Sequence, residues 1–232
     1  MRTLILSDIH GNLPALRAIL EVESDFNRCL FLGDVVDYGP FPKECIAFLD
    51  ARMTLGVLGN HDNAIARNAD CGCRDDFIRL SEETRAWHKS LLGADELEFL
   101  RSLPPTVWTR IEGKEILIAH ASPHGNIFRY IHEEEVEHAV AGIVADFILL
   151  GHTHVQFKRQ FGPLTVVNPG SVGLARDSQD GGEACYAVLC DGSMELKRIP
   201  YDVDLTIEAL REAPISAYSI NRLTSILRGQ RV

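Results

Sequence analysis

Short apolar runs recur along the chain, each giving way to polar or glycine-rich sequence: TLILSD, CLFLGD, TLGVLGN, EILIAH, FILLGH, LTVVNPG, CYAVLC and MELKRI. Runs of this length, bounded by turn residues, predict strands. Between the first three lie LPALRAILEVE and PKECIAFLDAR, whose apolar residues recur at helical spacing. The first third therefore predicts β-α-β-α-β, with parallel strands buried on both faces. After Asn60 the pattern predicts a helix-rich excursion, about Phe77 to Leu92 and Asp95 to Leu103, closed by Pro104-Pro105. VWTRIEGKEILIAH predicts a hairpin turning at Glu112-Gly113, and CYAVLCDGSMELKRI another at Asp191-Gly192. The last thirty residues predict helices packed on the outside. With no repeat, low-complexity segment or flexible linker, one α/β domain over residues 1–232 is expected. Two packed sheets with outer helices fit this order best, and a single mixed sheet also satisfies the periodicity.

Composition narrows the function. At 46% hydrophobic the chain can bury a substantial core, and its formal charge of −10 argues against a general nucleic-acid or anionic-membrane binder. The first apolar run is too short for a signal-peptide core, and no run approaches the ~18 residues of a membrane span. A cytoplasmic protein is expected, with homo-oligomerisation left open. Of six cysteines, Cys29, Cys45, Cys185 and Cys190 lie in apolar segments and are expected to be reduced core residues. Cys71 and Cys73, in the polar DCGCRDD, could bind metal or oxidise, but they lack the spacing of a structural zinc site and are expected to form an ordinary loop.

The polar residues after the runs have a pattern of their own: Asp8 and His10, then Gly33-Asp34, then Asn60-His61-Asp62, then His120, then His152 and His154. Asp8 to Asp34 and Asp34 to Asn60 each span 26 residues, about one β-α-β repeat, which brings the three tips side by side. In open α/β sheets ligands bind beyond the carboxyl ends of the strands. If these exits stay extended, residues i and i+2 share a side, and Asp8 with His10, like His152 with His154, can converge on one point. Two carboxylates, one amide and four imidazoles exceed what one ion normally uses, so a pair of ions is implied. Such a pair clamps a phosphoryl group and generates hydroxide for in-line attack. Mixed oxygen and nitrogen donors suit Mn, Fe, Co, Ni or Zn better than Mg or Ca.

The ordered set SDIHGN, GDVVDYGP, GNHD, AHASP, GHTH and NPGSVG resembles the calcineurin-like metallophosphoesterase superfamily, in particular its small prokaryotic phosphodiesterase and diadenosine-tetraphosphatase-like branch. The resemblance runs from about Thr3 to Arg198 and implies a four-layer α/β/β/α sandwich of two mixed sheets flanked by helices. It implies two divalent transition-metal ions, Mn first among them: Asp8, His10 and His154 on one, Asn60, His120 and His152 on the other, Asp34 bridging. It implies hydrolysis of a phosphodiester or phosphoanhydride by a metal-bridging hydroxide, with a small phosphorylated substrate, such as a nucleotide, as the partner. His61 would stand beside the substrate as acid. The alternatives are a phosphomonoesterase or protein phosphatase, a metal-bound scaffold without activity, and, more remotely, a single-zinc hydrolase.

The match departs after GDVVD, where the family's phosphoprotein phosphatases carry an arginine and this chain has Tyr38. That counts against a dedicated phosphoprotein phosphatase. Asp37 is expected to hydrogen-bond His61 and support its protonated form. His124 and Arg129 are expected to be ordinary surface residues, with contact to substrate as the alternative; Asn168, Gly170 and Ser171 either line the site or form a plain turn. His88, His132 and His138 lie in charge-rich segments and are expected in solvent. Asn12 and Asp62 can be helix caps, and Gly11, Gly33, Gly59 and Gly151 are expected to permit tight turns.

Overall fold

The computed structural model describes residues 1–230. In chain order, β1 (Arg2–Leu6), α1 (Leu13–Val22), β2 (Arg28–Phe31), α2 (Pro42–Arg52) and β3 (Leu55–Gly56) form the expected β-α-β-α-β. α3 (Asn60–Arg67), α4 (Asp76–Leu91) and α5 (Ala94–Ser102) follow, then β4 (Thr106–Ile111), β5 (Lys114–Ala119), α6 (Val136–Ala139) and β6 (Phe147–Leu149). β7 (Gln156–Phe161), β8 (Leu164–Pro169), β9 (Glu183–Cys190), β10 (Ser193–Pro200), α7 (Val203–Arg211) and α8 (Ala217–Leu227) complete the chain.

Two five-stranded mixed sheets result, in orders β10-β9-β1-β2-β3 and β4-β5-β6-β8-β7. In the first, β1 and β2 run parallel with Thr3 opposite Arg28 and Leu6 opposite Phe31, and β3 joins with Leu30 opposite Leu55. In the second, β5 and β6 run parallel with Ile118 opposite Leu149. The polar tips after all five strands therefore lie at the carboxyl ends of parallel neighbours. Both expected hairpins close through two-residue turns with positive φ at Glu112 (52°) and Gly113 (77°), and at Asp191 (51°) and Gly192 (73°). This is the geometry whose twist matches the flanking strands.

Strand alternation builds the layers. Ile5, Leu30, Leu32 and Val57 point from the first sheet toward Ile116, Ile118, Leu149 and Val167 of the second, forming an apolar layer between sheets. Their neighbours Leu4, Leu6, Cys29 and Phe31 face the other way, onto Leu16 and Ile19 of α1 and Ile46 and Leu49 of α2. Leu117, Ile148 and Val166 pack outward against Val136 and Val140. The single-sheet alternative is excluded by this arrangement. Among the described residues, no helix is long and apolar enough to cross a membrane.

Three elements differ from expectation. α3 was not legible because its buried residues include Asn60, His61 and Asp62, so no apolar stripe marks it. β7 is an edge strand with only Phe157 buried, which leaves little alternation to read. TLGVLGN contributes only Leu55–Gly56 to the sheet, because Val57 N still donates to Phe31 O (3.0 Å) but Leu58 N donates to Pro104 O (2.8 Å) outside the sheet.

Candidate metal centre

The strand exits leave extended geometry at once. Asp8 (φ 53°), His10 (47°), Asp34 (63°), His152 (67°) and His154 (59°) all adopt left-handed backbone. Each such non-glycine residue costs about 1 kcal/mol or more, and it persists only where surroundings enforce it. Here the enforcement is backbone pairing between tips: Asp8 N donates to Gly33 O (2.9 Å), His10 N to Asp34 O (3.0 Å) and Gly151 N to His120 O (2.6 Å). The extended-segment argument therefore fails, and with it the convergence of His152 and His154 on one point. Asp8 does meet His10, but His152 and His154 enter different clusters.

In the first cluster His154 Nε2 lies 3.1 Å and His10 Nε2 3.9 Å from Asp8 Oδ1, and the two ring nitrogens are 3.2 Å apart. His10 Nδ1 donates to Val36 O and His154 Nδ1 to Leu174 O, both at 2.8 Å. A carbonyl only accepts, so the proton of each neutral ring sits on Nδ1 and both Nε2 lone pairs face inward. In the second cluster His120 Nδ1 likewise donates to Leu32 O (2.8 Å), which turns Nε2 toward Asp34 Oδ2 (3.1 Å), Asn60 Oδ1 (3.0 Å) and His152 Nδ1 (3.2 Å). Asn60 Nδ2 donates to Cys71 O at 2.7 Å, which fixes the amide with its oxygen inward. Asp34 belongs to both this group and a neighbouring one with His10 and His61.

All seven expected ligands are buried. Among the described residues, Asp8 Oδ1, Asp34 Oδ2 and His152 Nε2 have no hydrogen-bond partner, although unpaired buried carboxylate oxygens are costly. The donor set therefore fits divalent cations: inward lone pairs, fixed tautomers and two buried carboxylates. Burial raises the Asp8 carboxyl, but His154 outweighs it and holds it low; burial likewise opposes Asp34, which His120 and His61 hold well below the carboxylate range. Burial alone would lower His120, yet the Asp34 charge raises it to about 9. The field that favours a proton there favours any cation. Burial depresses His10 to about 3, with His154 and His61 adding to it.

His61 stands beside these clusters. Its Nδ1 lies 2.7 Å from Asp37 Oδ2, the contact the sequence suggested, and its Nε2 faces Tyr38 Oη (3.3 Å) and Cys73 Sγ (3.6 Å). Burial lowers the His61 pKa, but Asp34 and then Asp37 outweigh it and raise it above its ordinary value. Arg85, from α4, reaches Asp37 Oδ2 at 3.2 Å. A guanidinium thus sits on the carboxylate of GDVVD although none follows it in sequence.

Other expectations change. His88 is fully buried, not solvated: Nδ1 accepts from Asp37 N (3.0 Å) and Nε2 donates to Gly39 O (2.8 Å), so it clamps the loop that carries Asp37. Helical charge in its neighbours masked it. His124, Arg129, His132 and His138 are exposed. Cys71 and Cys73 are joined as a disulfide, correcting the ordinary-loop reading, because the turn at Gly72 (φ 68°) folds the two side chains together. Cys29, Cys45 and Cys185 are free and buried, and Cys190 is free and partly buried.

Asn168 and Ser171 do not line the site but buttress it. Asn168 Nδ2 donates to Gly151 O (2.7 Å), and Ser171 Oγ to Asp8 O (2.7 Å). Asn12 and Asp62 are caps, as expected, and more: Asp62 also accepts from Asp34 N (2.7 Å) and Val35 N (2.9 Å), tying the second strand exit to α3. Burial and the nearby Asp34 charge push its carboxyl up to about 7 against these amides. Gly11 and Gly33 do have positive φ, whereas Gly59 and Gly151 do not. Those two are needed for close approach, since a Cβ would collide with Asp34 Oδ1 and Ser7 Oγ respectively. Two neighbours were missed altogether. Tyr130 packs on the His152 ring at 4.0 Å, and Arg176 stacks on Phe77 at 4.4 Å while its N–H donates to His154 O. Each lies in a loop without a motif to flag it.

The comparisons agree with this geometry. An uncharacterized protein of Methanocaldococcus jannaschii is 31% identical over 224 residues, covering 89% of this chain and 90% of that one. Phosphodiesterase YfcE of Escherichia coli K12 is 27% identical over 192 residues, 82% of this chain and 87% of YfcE. A symmetrical bis(5'-nucleosyl)-tetraphosphatase of Coxiella burnetii is 31% identical over 150 residues, 60% of this chain and 49% of that protein. The crystal structure of a metallophosphoesterase from Sphaerobacter thermophilus superposes with a TM-score of 0.82 at 27% identity, covering 96% and 98% of the two chains. A family model described as the calcineurin-like phosphoesterase superfamily domain matches residues 1–191, and with the sheets and the clustered histidines and aspartates in place, the chain belongs to that superfamily of phosphoester hydrolases.

Proposed function

We propose that the chain hydrolyses phosphodiester or phosphoanhydride bonds at a centre of two divalent transition-metal ions, Mn foremost. One observation supports this reading: seven buried side chains from five strand exits gather in adjoining groups, Asp8 with His10 and His154, Asp34 with His120 and His152, and Asn60 Oδ1 3.0 Å from His120 Nε2, while Asp34 also groups with His10. Asp8, His10 and His154 would hold one ion, Asn60, His120 and His152 the other. Bound there, the ions supply Lewis-acid clamping of the phosphoryl oxygens and an activated water.

The remaining steps belong to the chain. His61 presents Nε2 to the reacting group and delivers its proton to the departing oxygen, a contribution of about 10²–10⁴ in rate. Asp37 receives the Nδ1 proton in a 2.7 Å hydrogen bond, fixing the ring and favouring its charged form. Arg85 and the His88 clamp hold Asp37 in place. A scaffold without activity has no use for this proton-transfer pair, which supports the enzyme reading over that alternative.

The test is turnover of bis(p-nitrophenyl) phosphate by protein loaded with Mn²⁺, with metal content measured on the same sample. Asp34→Asn and His61→Ala should each lower turnover by at least a hundredfold. Unchanged rates in metal-loaded variants would overturn the assigned roles, and an inert wild type across Mn²⁺, Fe²⁺, Co²⁺, Ni²⁺ and Zn²⁺ would overturn the activity.

A further inference from the structure

The C-x-C of DCGCRDD has no part in the proposed hydrolysis, yet the fold brings it to the acid. Gly72 takes left-handed backbone (φ 68°), and the turn there sets Cys71 and Cys73 side by side. Asn60 Nδ2 donates to Cys71 O at 2.7 Å, which anchors that turn at the start of α3. Cys73 Sγ then lies 3.6 Å from His61 Nε2 and 3.8 Å from Tyr38 Oη. A ring nitrogen of His61 and the two sulfurs all fall within 4.8 Å of one another. Among the described residues, no other group of three possible metal ligands contains a sulfur.

Geometry and donor chemistry both suit one ion. Tetrahedral zinc, with its usual bonds to sulfur and to imidazole, places those two ligand atoms about 3.6 Å apart. This is the separation of His61 Nε2 and Cys73 Sγ. Two thiolates on such an ion stand about 3.8 Å apart, and a Cα–Cα distance of 5.4 Å gives both side chains the reach for it once the sulfurs are no longer bonded. His61 is oriented as metal-bound imidazoles are: Asp37 Oδ2 holds Nδ1–H at 2.7 Å, so the Nε2 lone pair of the neutral ring faces the sulfurs. Thiolates favour Zn²⁺ or Cu⁺ over Mn²⁺. Access is open, since Cys71 and Cys73 line a cavity of about 330 Å³ with Asp70, Ser81, Glu82 and Arg85. Its two carboxylates outnumber its one guanidinium, which is itself engaged by Asp37, so the mouth favours cations.

We infer that Cys71 and Cys73, once reduced, form with His61 Nε2 a separate metal site for one Zn²⁺ or Cu⁺ ion. A dithiol reaching the cavity passes two electrons and two protons to the Cys71–Cys73 link and becomes a disulfide itself, leaving two thiols on the protein. The ion then displaces both thiol protons to solvent, and the Nε2 proton where the ring carries one. It occupies the nitrogen that faces the departing oxygen. The effect on turnover, unlike the site itself, rests on the hydrolysis proposed above: the disulfide form keeps His61 free, and the reduced form yields it to a thiophilic cation.

The experiment titrates Mn²⁺-loaded full-length protein with Co²⁺, a spectroscopic stand-in for Zn²⁺, in the disulfide form and after reduction by a dithiol and desalting under argon. None of the seven ligands of the neighbouring centre is a sulfur, so a sulfur-to-cobalt charge-transfer band does not arise there. Cys29, Cys45, Cys185 and Cys190 are free in both forms and cancel in the comparison. The reduced protein should develop the band to saturation at one ion per chain, and the disulfide form should not. Replacing Cys71→Ser and Cys73→Ser together should abolish it, and His61→Ala should weaken Co²⁺ binding at least tenfold. No band in the reduced wild type, an equal band in the disulfide form, a band that survives the double replacement, or unchanged affinity in His61→Ala would overturn the site. If a variant fails to fold, the two wild-type forms decide. Zn²⁺ should lower turnover of bis(p-nitrophenyl) phosphate at least tenfold more in the reduced form than in the disulfide form, and equal inhibition overturns the block on His61. A wild type that shows the band but cleaves nothing keeps the site and sinks the hydrolytic reading alone.

Discussion

His61 Nδ1 and Asp37 Oδ2 lie 2.7 Å apart, both residues buried, with Arg85 closing on the same carboxylate oxygen. Asp37 and Asp34 hold the imidazole above its ordinary pKa against burial. Replacing Asp37 by Asn removes one of these charges, so His61 should lose its proton at lower pH. The alkaline limb of the kcat/KM profile should therefore move to lower pH, with turnover reduced at least tenfold at pH 8. A limb that stays in place would separate Asp37 from the protonation of His61.

His88 makes stability depend on pH. Burial lowers its pKa from 6.5 to about 4, so the unfolded chain takes up its proton first as pH falls. The stabilisation is complete above pH 6.5 and is lost on the way down to about pH 4, by roughly 3 kcal/mol at the lower end. His88→Gln, which keeps one donor and one acceptor, should flatten that part of the curve of urea midpoint against pH. An equally steep loss in the variant would assign it to other groups.

Cations should stabilise the fold, because Asp8 Oδ1, Asp34 Oδ2 and His152 Nε2 lack hydrogen-bond partners among the described residues. Protein treated with chelator should melt at lower temperature and recover on addition of Mn²⁺. A ligand at a thousand times its Kd adds about 4 kcal/mol. Asp34→Asn should bind less metal and recover less. A melting temperature indifferent to chelator and Mn²⁺ would contradict the site.

The Cys71–Cys73 link gives a direct chemical count. Iodoacetamide applied to denatured protein without reductant should label four of the six cysteines, Cys29, Cys45, Cys185 and Cys190, and all six after reduction. Mass spectrometry reads the difference, and six labels without reductant would exclude the link.

Every strand but β7, and six of the helices, were legible because their signals are local: apolar runs, helical spacing and two-residue turns at Glu112-Gly113 and Asp191-Gly192. The gathering of the seven candidate ligands was legible for another reason, since equal repeats and parallel pairing place strand exits together whatever their exact backbone. The left-handed backbone of Asp8 and His152 was not, because it comes from pairing between tips distant in sequence. The burial of His88 likewise depends on a loop 49 to 51 residues away, and its own segment reads as a charged helix. Arg85 is a single charge on an amphipathic helix, and only its tertiary contact with Asp37 distinguishes it from a solvated one.

The seven candidate ligands are divided between the two sheets: Asp8, His10, Asp34 and Asn60 follow strands of one, and His120, His152 and His154 follow strands of the other. Hydrocarbon packing is thus the calliper that sets how far the two halves of the centre stand apart. A change of one methylene at Ile118 or Leu30 acts on that gap from a place no substrate reaches. Tuning of the chemistry is open to drift in the greasy interior as much as to change among the polar tips.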